Sequence, residues 1–158
     1  MTSPKPSLSG FATYRLHRIV KQFDRGIAQA YSEALDLSLS EARTLAAIGE
    51  FGPFLVIDLA RFANLDKSQA SRAADHLIKQ GLVKREPSPT DGRAVLISLS
   101  AEGKPLYQKI MRIASSRHET LMSALSPQER AVMELALGKL LTQVESMLQD
   151  DARAIDAG

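Results

Sequence analysis

The sequence of 158 residues contains no cysteine. This absence excludes a disulfide framework, a thiolate nucleophile, a cysteine-based zinc site and a thiol redox switch. No apolar run approaches the roughly 20 residues that a membrane-spanning helix needs. The N-terminus, MTSPKPSLSG, lacks the hydrophobic segment of a signal peptide and predicts a frayed arm. We therefore expect a cytoplasmic protein with no membrane partner.

The composition predicts an ordered protein with an uneven distribution of charge. Hydrophobic residues make up 44% and charged residues 24% of the chain, and its length fits one compact domain, with or without an oligomerisation extension. The net charge is only +2, but residues 61–93 hold seven cations and four anions, whereas residues 126–158 hold three cations and six anions. A basic middle and an acidic tail are typical of a protein that meets phosphate with one face.

Residues 58–103 carry the most informative pattern. We predict a short apolar helix over Val56–Phe62, a turn at 64–66, and a second helix from the N-cap Asp66 to about Gln80, ended by Gly81. Two strands are predicted at 82–86 and 94–99, around a turn at 87–93. A helix-turn-helix places its second helix in the DNA major groove, and the two strands would form a wing beside it. The pattern indicates a sequence-specific DNA-binding protein.

Long helices are predicted on both sides of this unit. Apolar residues at three- and four-residue intervals predict a helix over about 11–35. Either Ser38 or Ser40 can cap the next helix, and Ser38 with Glu41 forms a capping box. Ser100 is predicted to cap a helix that reaches about residue 124. A second capping box, at 126–129, begins a final helix that reaches about residue 149, with residues 150–158 loose. Ten apolar positions of this last helix exceed one core-facing stripe, which predicts burial against a second chain.

The sequence resembles the MarR family of winged-helix regulators over essentially its whole length. The resemblance rests on the following pieces and their spacing: Leu59-Ala60, Ser68-Gln69-Ala70-Ser71-Arg72, Gly81-Leu82-Val83, Asp91-Gly92-Arg93, Leu99-Ser100 and Gly103. It implies a mainly α (α+β) fold, with an N-terminal arm and dimerisation helix (1–36), a winged helix-turn-helix domain (37–100) and C-terminal dimerisation helices (101–158). It also implies a homodimer that reads a pseudo-palindromic operator. Gly92 departs from the family, where Arg or Lys is common, and Ser100 replaces a more common Thr.

The N-terminal half of the second helix of this unit carries the predicted DNA contacts. Free backbone donors and the positive end of a helix dipole favour phosphate, Gln bonds adenine edges and Arg bonds guanine. The predicted contacts are Lys67, Ser68, Gln69, Ser71 and Arg72. The structural alternative is an ordinary solvated helix face, and which side chain reads a base stays open.

The wing carries a second set of predicted DNA contacts. Arg93 closes the wing turn and, with Lys84 or Arg85, is predicted to reach phosphates or the minor groove. Asp91 is predicted to orient Arg93; the alternative is an ion pair that merely holds the hairpin.

The family resemblance further implies a small-molecule site, often for aromatic acids, between the dimer helices and the winged lobe. Arg suits a carboxylate, and aromatic side chains suit apolar walls. The candidates are Tyr14, His17, Arg18, Phe51, Phe54, Arg117 and His118. The alternative is that the arginines form interface ion pairs and that the aromatic residues belong to the core.

Other classes of function find little support in the sequence. His17, His76 and His118 are not spaced as metal ligands, and His76 is expected to be half-buried at a helix edge. We find no nucleophile elbow, phosphate loop or paired acid–base constellation, so we expect neither an enzyme nor a cofactor. The favoured function is a repressor that a small ligand releases from DNA. The alternatives are a ligand-insensitive or architectural DNA-binding protein and a protein-interaction module.

Overall fold

A computed structural model gives the structure of the protein and describes residues 7–156. Within them, helices and strands follow in the order α1 (Ala12–Leu35), α2 (Leu39–Phe51), β1 (Phe54–Leu55), α3 (Leu59–Ala63), α4 (Lys67–Lys79), β2 (Val83–Pro87), β3 (Val95–Leu99), α5 (Gly103–Met122) and α6 (Pro127–Asp156). The three strands form one antiparallel sheet in the order β1–β3–β2. The predicted fold class, mainly helical with a winged helix-turn-helix and long terminal helices, is confirmed.

The chain divides into two compact units, Met1–Ser116 and Arg117–Gly158, and the division falls inside α5. The first unit contains α1 to α4, the sheet and most of α5. The second contains the end of α5 and all of α6. No helix in the described part of the chain is both long and apolar enough to cross a membrane.

The core of the first unit lies where α2, α4, β3 and α5 meet. Its largest fully buried side chains are Leu45, Ile48, Leu77, Ile97, Ile110 and Thr44. Small residues lie between them: Ala42 of α2 and Ala74 of α4 are completely buried. Because an alanine projects only a methyl group, two helices can approach closely at such positions. This close approach fixes where α4 lies on the rest of the unit.

Helix starts follow the local sequence. The Ser38 hydroxyl accepts a hydrogen bond from the Glu41 amide at 3.2 Å, and Glu41 Oε2 accepts one from the Ser38 amide at 2.7 Å. Ser126 and Glu129 form the same reciprocal pair at the start of α6, at 3.3 and 2.8 Å. Both predicted capping boxes are confirmed. They could be predicted from the sequence because a capping box joins two residues that are only three positions apart in the chain.

The region before α3 differs from its prediction. Residues 54 and 55 form β1, with Phe54 opposite Ile97 and Leu55 opposite Leu96 of β3. The predicted helix over Val56–Phe62 is a 3₁₀ turn at Val56–Asp58 followed by the five-residue α3. A two-residue strand carries no periodic pattern, and its partner lies more than forty residues away in the chain. The sequence therefore gave no local signal for β1.

Two further boundaries are corrected. Helix α6 continues to Asp156, so the expected loose tail is wrong for residues 150–156; residues 157 and 158 lie outside the described part. No glycine or proline interrupts this stretch, and Arg153 pairs with Asp150 at 3.6 Å, one turn earlier. At the N-terminus, residues 8–10 form a 3₁₀ turn, whereas residues 1–6 of the predicted arm are not described.

Helix α5 begins at Gly103, three residues after its predicted cap. The Ser100 hydroxyl nonetheless accepts a hydrogen bond from the Gly103 amide at 3.0 Å and donates one to the Gly81 carbonyl at 2.6 Å. Ser100 therefore joins the end of β3 both to the start of α5 and to Gly81, which lies two residues after the end of α4.

The buried hydroxyl of Thr44 yields a stability prediction. This side chain is fully buried in α2, and its oxygen has no hydrogen-bond partner among the described residues. Thr44→Val replaces the hydroxyl by a methyl group of similar size, so we expect the free energy of unfolding to rise by about 1 kcal/mol. Urea denaturation at one fixed protein concentration measures the change.

Thr142→Val is the matched control, because Thr142 lies on an exposed face of α6 and its hydroxyl bonds the Gly138 carbonyl at 3.1 Å. It should alter stability by less than about 0.5 kcal/mol. A loss of stability in Thr44→Val would show that the hydroxyl has a partner after all.

Candidate nucleic-acid interface

Helix α4 has one buried face and one open face. Its buried side chains are Ala70, Ala73, Ala74 and Leu77. The five residues predicted to contact DNA all lie on the exposed part of its first half: Lys67, Ser68, Gln69, Ser71 and Arg72. The first turn of a helix also leaves backbone donors unpaired, and these favour an anion. The exposed face therefore combines cationic, amide and hydroxyl groups over about one and a half turns.

The turn before α4 sets the direction of this face. Asn64 ends α3 in the left-handed conformation at φ 52°, and the Leu65 amide donates back to the Ala60 carbonyl at 3.0 Å. Asp66 then caps α4, with Oδ1 accepting from the Gln69 amide at 2.7 Å. Both roles were predicted from the sequence, because Asn tolerates a left-handed backbone and Asp is a favoured N-cap.

The predicted contact residues of α4 differ in whether their side chains already form hydrogen bonds within the protein. The Arg72 guanidinium donates a hydrogen bond to the Ser68 hydroxyl, one turn earlier on the same face. The side chains of Lys67, Gln69 and Ser71 have no hydrogen-bond partner among the residues that the structure describes. Arg72 is therefore held along the helix surface by a hydrogen bond, whereas no hydrogen bond to a described residue holds the side chains of Lys67, Gln69 and Ser71.

The wing is the β2–β3 hairpin, with its tip at residues 88–94. Its tip is shaped by Asp91, whose Oδ1 accepts from the Arg93 amide at 3.0 Å and whose carbonyl accepts from the Ala94 amide at 2.9 Å. Among the described residues there is no ion pair between the Asp91 and Arg93 side chains. Asp91 thus orders the backbone of the tip and leaves the Arg93 guanidinium free.

The other two wing cations are already paired. Lys84 lies 3.3 Å from Glu86 on the same strand, and Arg85 of β2 bonds Asp75 of α4 at 3.0 Å. Both pairs are largely exposed, so another anion can replace either carboxylate at little cost. Arg85 joins the base of the wing to α4, which sequence reasoning did not foresee.

A cleft of about 550 Å³ lies beside the wing. It is lined by Leu55, Val56, Ile57, Arg85, Asp91, Arg93, Ala94 and Val95. A second cleft of about 260 Å³ shares Val56, Ile57 and Arg85 with the first and reaches Lys67 and Ser71 of α4. Ile57 is 83% exposed there. Sequence reasoning did not single out Ile57, which lies within the helix predicted over Val56–Phe62 and in the structure belongs to the 3₁₀ turn at Val56–Asp58.

Glu41 and His76 form a contact that the sequence also did not reveal. His76 Nδ1 of α4 hydrogen-bonds Oε1 of Glu41, the residue that completes the capping box of α2. The His76 side chain is 55% exposed, that is, about half-buried as expected, whereas the Glu41 side chain is only 12% exposed. Burial works to raise the pKa of Glu41, but the hydrogen bonds from His76 and Ser38 outweigh it and hold that pKa below its ordinary value.

The predicted ligand residues fall into separate groups. Tyr14, His17 and Arg18 lie at three- and four-residue spacing on α1 and are exposed. His17 lines a cleft of about 480 Å³ with Lys21, Asp24, Arg25 and Leu39, and none of the other six candidates lines it.

The two phenylalanines belong to one aromatic cluster. Phe51 and Phe54 both pack on Phe62, at ring-centre distances of 5.0 and 4.6 Å. Phe54 is buried in the core, as the structural alternative held, whereas Phe51 is half exposed. Arg117 and His118 are exposed in the second unit.

The described residues contain no group of His, Asp or Glu side chains that could hold a metal ion. The three histidines lie on α1, α4 and α5. The side chains that converge in this structure are those of α4 and the wing.

A short helix, a left-handed turn, a second helix with an open polar face and an antiparallel hairpin beside it define a winged helix-turn-helix protein. Residues 35–94 match a family model described as MarR family. The chain is 31% identical to the uncharacterised HTH-type transcriptional regulator YxaD of Bacillus subtilis over 115 residues, which cover 73% of this chain and 78% of that protein.

Two further comparisons agree. The chain is 27% identical over 128 residues to the multiple antibiotic resistance protein MarR of Salmonella typhimurium, covering 80% of this chain and 89% of that protein. A crystal structure of a MarR-family regulator from Silicibacter pomeroyi superposes with a TM-score of 0.78 at 27% identity, covering 91% and 97% of the two chains. The chain belongs to the MarR family of DNA-binding transcriptional regulators.

Proposed function

We propose that this protein is a repressor that binds a pseudo-palindromic operator as a homodimer and leaves it when a small aromatic acid binds. The observation that carries the proposal is the open polar face of α4, together with a wing cation, Arg93, that has no ion-pair partner among the described residues. A relative from Pseudomonas putida, the HTH-type transcriptional repressor NicR, is 26% identical over 132 residues and supports the repressor assignment.

In this proposal α4 lies in the major groove. Lys67 and the backbone donors of the first turn bind phosphate, and Gln69 and Arg72 read base edges. Ser68 and Ser71 bind phosphate or either base. Arg72 would exchange its bond to Ser68 for a guanine edge, which presents two acceptors in the geometry of a guanidinium.

The wing supplies the second contact. Arg93 is its strongest candidate, because its guanidinium is free and Asp91 orders the backbone that carries it. Lys84 and Arg85 would bind backbone phosphates by exchanging their exposed carboxylate partners, Glu86 and Asp75, for phosphate oxygens. Gly92 leaves the tip with one cation, so we expect the wing to contribute less than α4 does.

The exposed apolar surface of α6 supports a homodimer. In the single chain, this helix exposes Val132, Leu135, Leu137, Leu140, Leu141, Val144, Met147 and Leu148. Helix α1 exposes Tyr14, Leu16, Ile19 and Val20, and Phe11 immediately before it is also exposed. Apolar surface of this extent is typical of a face that a partner buries. In a dimer with two-fold symmetry, two α4 helices would read half-sites about one DNA turn apart.

The effector would act by shifting the equilibrium between two conformations of the dimer, which differ in the spacing of their α4 helices. A ligand that binds better to a dimer whose α4 helices are wrongly spaced favours that state, and only this difference in affinity releases DNA. The candidates for contacting the effector are Tyr14, His17, Arg18, Phe51, Phe54, Arg117 and His118, of which Phe54 would act from within the core.

The structure of Bordetella bronchiseptica BpsR is described as showing regulation of its DNA binding by 6-hydroxynicotinic acid; it shares this fold with a TM-score of 0.74 at 20% identity. Aromatic acids are therefore the first compounds to test.

Binding to DNA with and without aromatic acids tests the proposal as a whole. The probe is promoter DNA from the chain's own genomic neighbourhood, measured by fluorescence anisotropy at defined salt. We expect binding in the nanomolar range, about 10³-fold or more tighter than to unrelated DNA, and release by at least one acid of the panel. Tight binding that no acid alters would favour a ligand-insensitive regulator, and no specific binding would contradict the proposal.

Arg72→Ala tests α4 as the reading helix. Loss of a base contact should weaken operator binding by about 1–3 kcal/mol and relax the preference at one position of each half-site. Lys67→Ala should weaken binding to all sequences alike and reduce the salt dependence. Arg112→Ala is the matched control, because Arg112 is exposed on α5, away from α4 and the wing. Unchanged affinity and preference in Arg72→Ala would show that α4 does not read the operator.

Leu140→Glu tests the dimer interface. A glutamate buried between two α6 helices would be unpaired, so we expect the dimer to dissociate at concentrations where the wild type stays associated. Thr142→Glu is the control, because residue 142 lies about 200° around the helix from residue 140. Sedimentation velocity distinguishes the two states. A Leu140→Glu protein that sediments as a dimer would place the interface elsewhere.

A further inference from the structure

The surface between α4 and the tip of the wing is concave and lined mostly by apolar side chains. The two clefts found there, of about 550 and 260 Å³, share Val56, Ile57 and Arg85. The larger cleft reaches the wing tip at Arg93, and the smaller one reaches α4 at Lys67. We call the two clefts together the wing groove. The wing groove therefore extends from the proposed reading helix to the tip of the wing.

Ile57 is the most exposed large apolar side chain in the described part of the chain, at 83%. It lies in the 3₁₀ turn at Val56–Asp58, between Phe54 and Leu59, which are only 8% and 2% exposed. These buried neighbours fix the backbone on both sides of Ile57. A single exposed isoleucine needs no explanation, but Ile57 shares the wing groove with a second exposed apolar residue, Val95 of β3. The fold therefore holds an apolar patch open beside the wing.

Positive charge surrounds this apolar patch. The charged side chains that line the wing groove are three cations, Lys67, Arg85 and Arg93, and one carboxylate, Asp91. One oxygen of that carboxylate accepts a hydrogen bond from the Arg93 amide at 3.0 Å, and Arg85 bonds Asp75 of α4 at 3.0 Å. Lys67 and Arg93 have no ion-pair partner among the described residues. The wing groove thus favours a partner that has both apolar surface and negative charge.

The backbone of a DNA strand has both of these features. Its phosphates are anionic, and the deoxyriboses between them present C–H groups that are apolar. In the proposed complex α4 lies in the major groove and the wing reaches the adjacent minor groove. A sugar–phosphate strand is what separates a major groove from the next minor groove, so one strand has to cross the protein between α4 and the wing tip. The wing groove occupies this part of the protein surface.

We propose that the wing groove seats the DNA strand that crosses from α4 to the wing, with Ile57 and Val95 packed against its deoxyriboses. Lys67 and Arg93 bind the phosphates on either side of the packed sugars. The inference rests on the proposed function, in which α4 reads the operator. It adds an apolar contact that depends neither on base sequence nor on salt, because deoxyribose is common to all sequences and carries no charge. This contact fixes the register of the duplex on the protein.

Ile57→Ala tests the apolar contact. Operator affinity is measured by anisotropy at several salt concentrations, with a duplex selected from a randomised pool by the wild-type protein. We expect the affinity to fall about fivefold, which corresponds to the loss of roughly 40 Å² of apolar contact. The factor should be the same at every salt concentration and on operators changed at single base pairs. Lys67→Ala should instead reduce the salt dependence, and Arg72→Ala should relax the base preference, so the three effects are distinguishable.

Two further variants serve as controls. Ile57→Leu keeps the size and apolar character of the side chain, so its operator affinity should stay within about twofold of the wild type. Met111→Ala removes an exposed apolar side chain of α5 that lines neither cleft, and it should leave the affinity unchanged. Urea denaturation and sedimentation velocity of each variant identify any change of stability or association. We expect none in Ile57→Ala, because its side chain is exposed.

Hydroxyl-radical footprinting of the same duplex tests the sugar contact directly. The radicals remove hydrogen atoms from deoxyribose, so the cleavage at each nucleotide reports how exposed its sugar is. In the wild-type complex we expect protected sugars in each half-site between the base pairs that α4 reads and the minor groove at the wing. Ile57→Ala should be cleaved more strongly at these sugars when the operator is saturated, whereas Ile57→Leu should protect them as the wild type does.

Other results would assign the wing groove differently. Unchanged affinity and sugar protection in Ile57→Ala would overturn the inference and leave the proposed function standing; if calorimetry then showed that this variant no longer binds benzoate, an aromatic acid would be the occupant. A loss that varies with the base sequence would mean that Ile57 contacts a base, and a changed salt dependence would mean that it acts through the neighbouring cations. Either result would overturn the backbone contact. Absence of specific DNA binding by the wild type would overturn both proposals.

Discussion

The packing of α4 against α2 is the constraint on which the rest of the winged unit depends. Ala74 and Leu77 are completely buried against a surface that contains Ala42 and Leu45 of α2. Their methyl and isobutyl groups leave no space for water, and a larger residue at either alanine would push the two helices apart. Because one face of α4 is fixed in this way, its opposite face has to carry the cations and amides that are free to bind.

Two polar contacts lie at the edges of the apolar surface between α2 and α4. Arg85–Asp75 and Glu41–His76 are partly exposed, and exposed pairs of this kind contribute little to the free energy of folding. They nevertheless join α4 to the wing and to the capped start of α2. The buried apolar face of α4 therefore keeps the helix in place, and the Arg85–Asp75 pair joins it to the wing.

The parts of the fold that were predicted correctly depend on residues close together in the chain. The capping boxes of Ser38 and Ser126, the N-cap Asp66 and the left-handed Asn64 each act within four residues. The parts that were missed depend on distant residues. Strand β1 needs β3 as its partner, Glu41 meets His76 across 35 positions, and Ile57 is exposed because the chain turns there instead of continuing a helix. No pattern of spacing encodes these three features.

The sequence by itself determined the order of the helices and of the two wing strands, the family and the residues on the open face of α4, because periodicity, caps and turn residues act locally. Only the tertiary structure decided which of those residues are free. It binds Arg72 to Ser68 and Arg85 to Asp75, leaves Lys67 and Arg93 without a partner among the described residues, and buries Phe54 in the core. The physical reason is that pairing and burial depend on which segments meet in space, and that is settled only when α2, α4 and the sheet pack together.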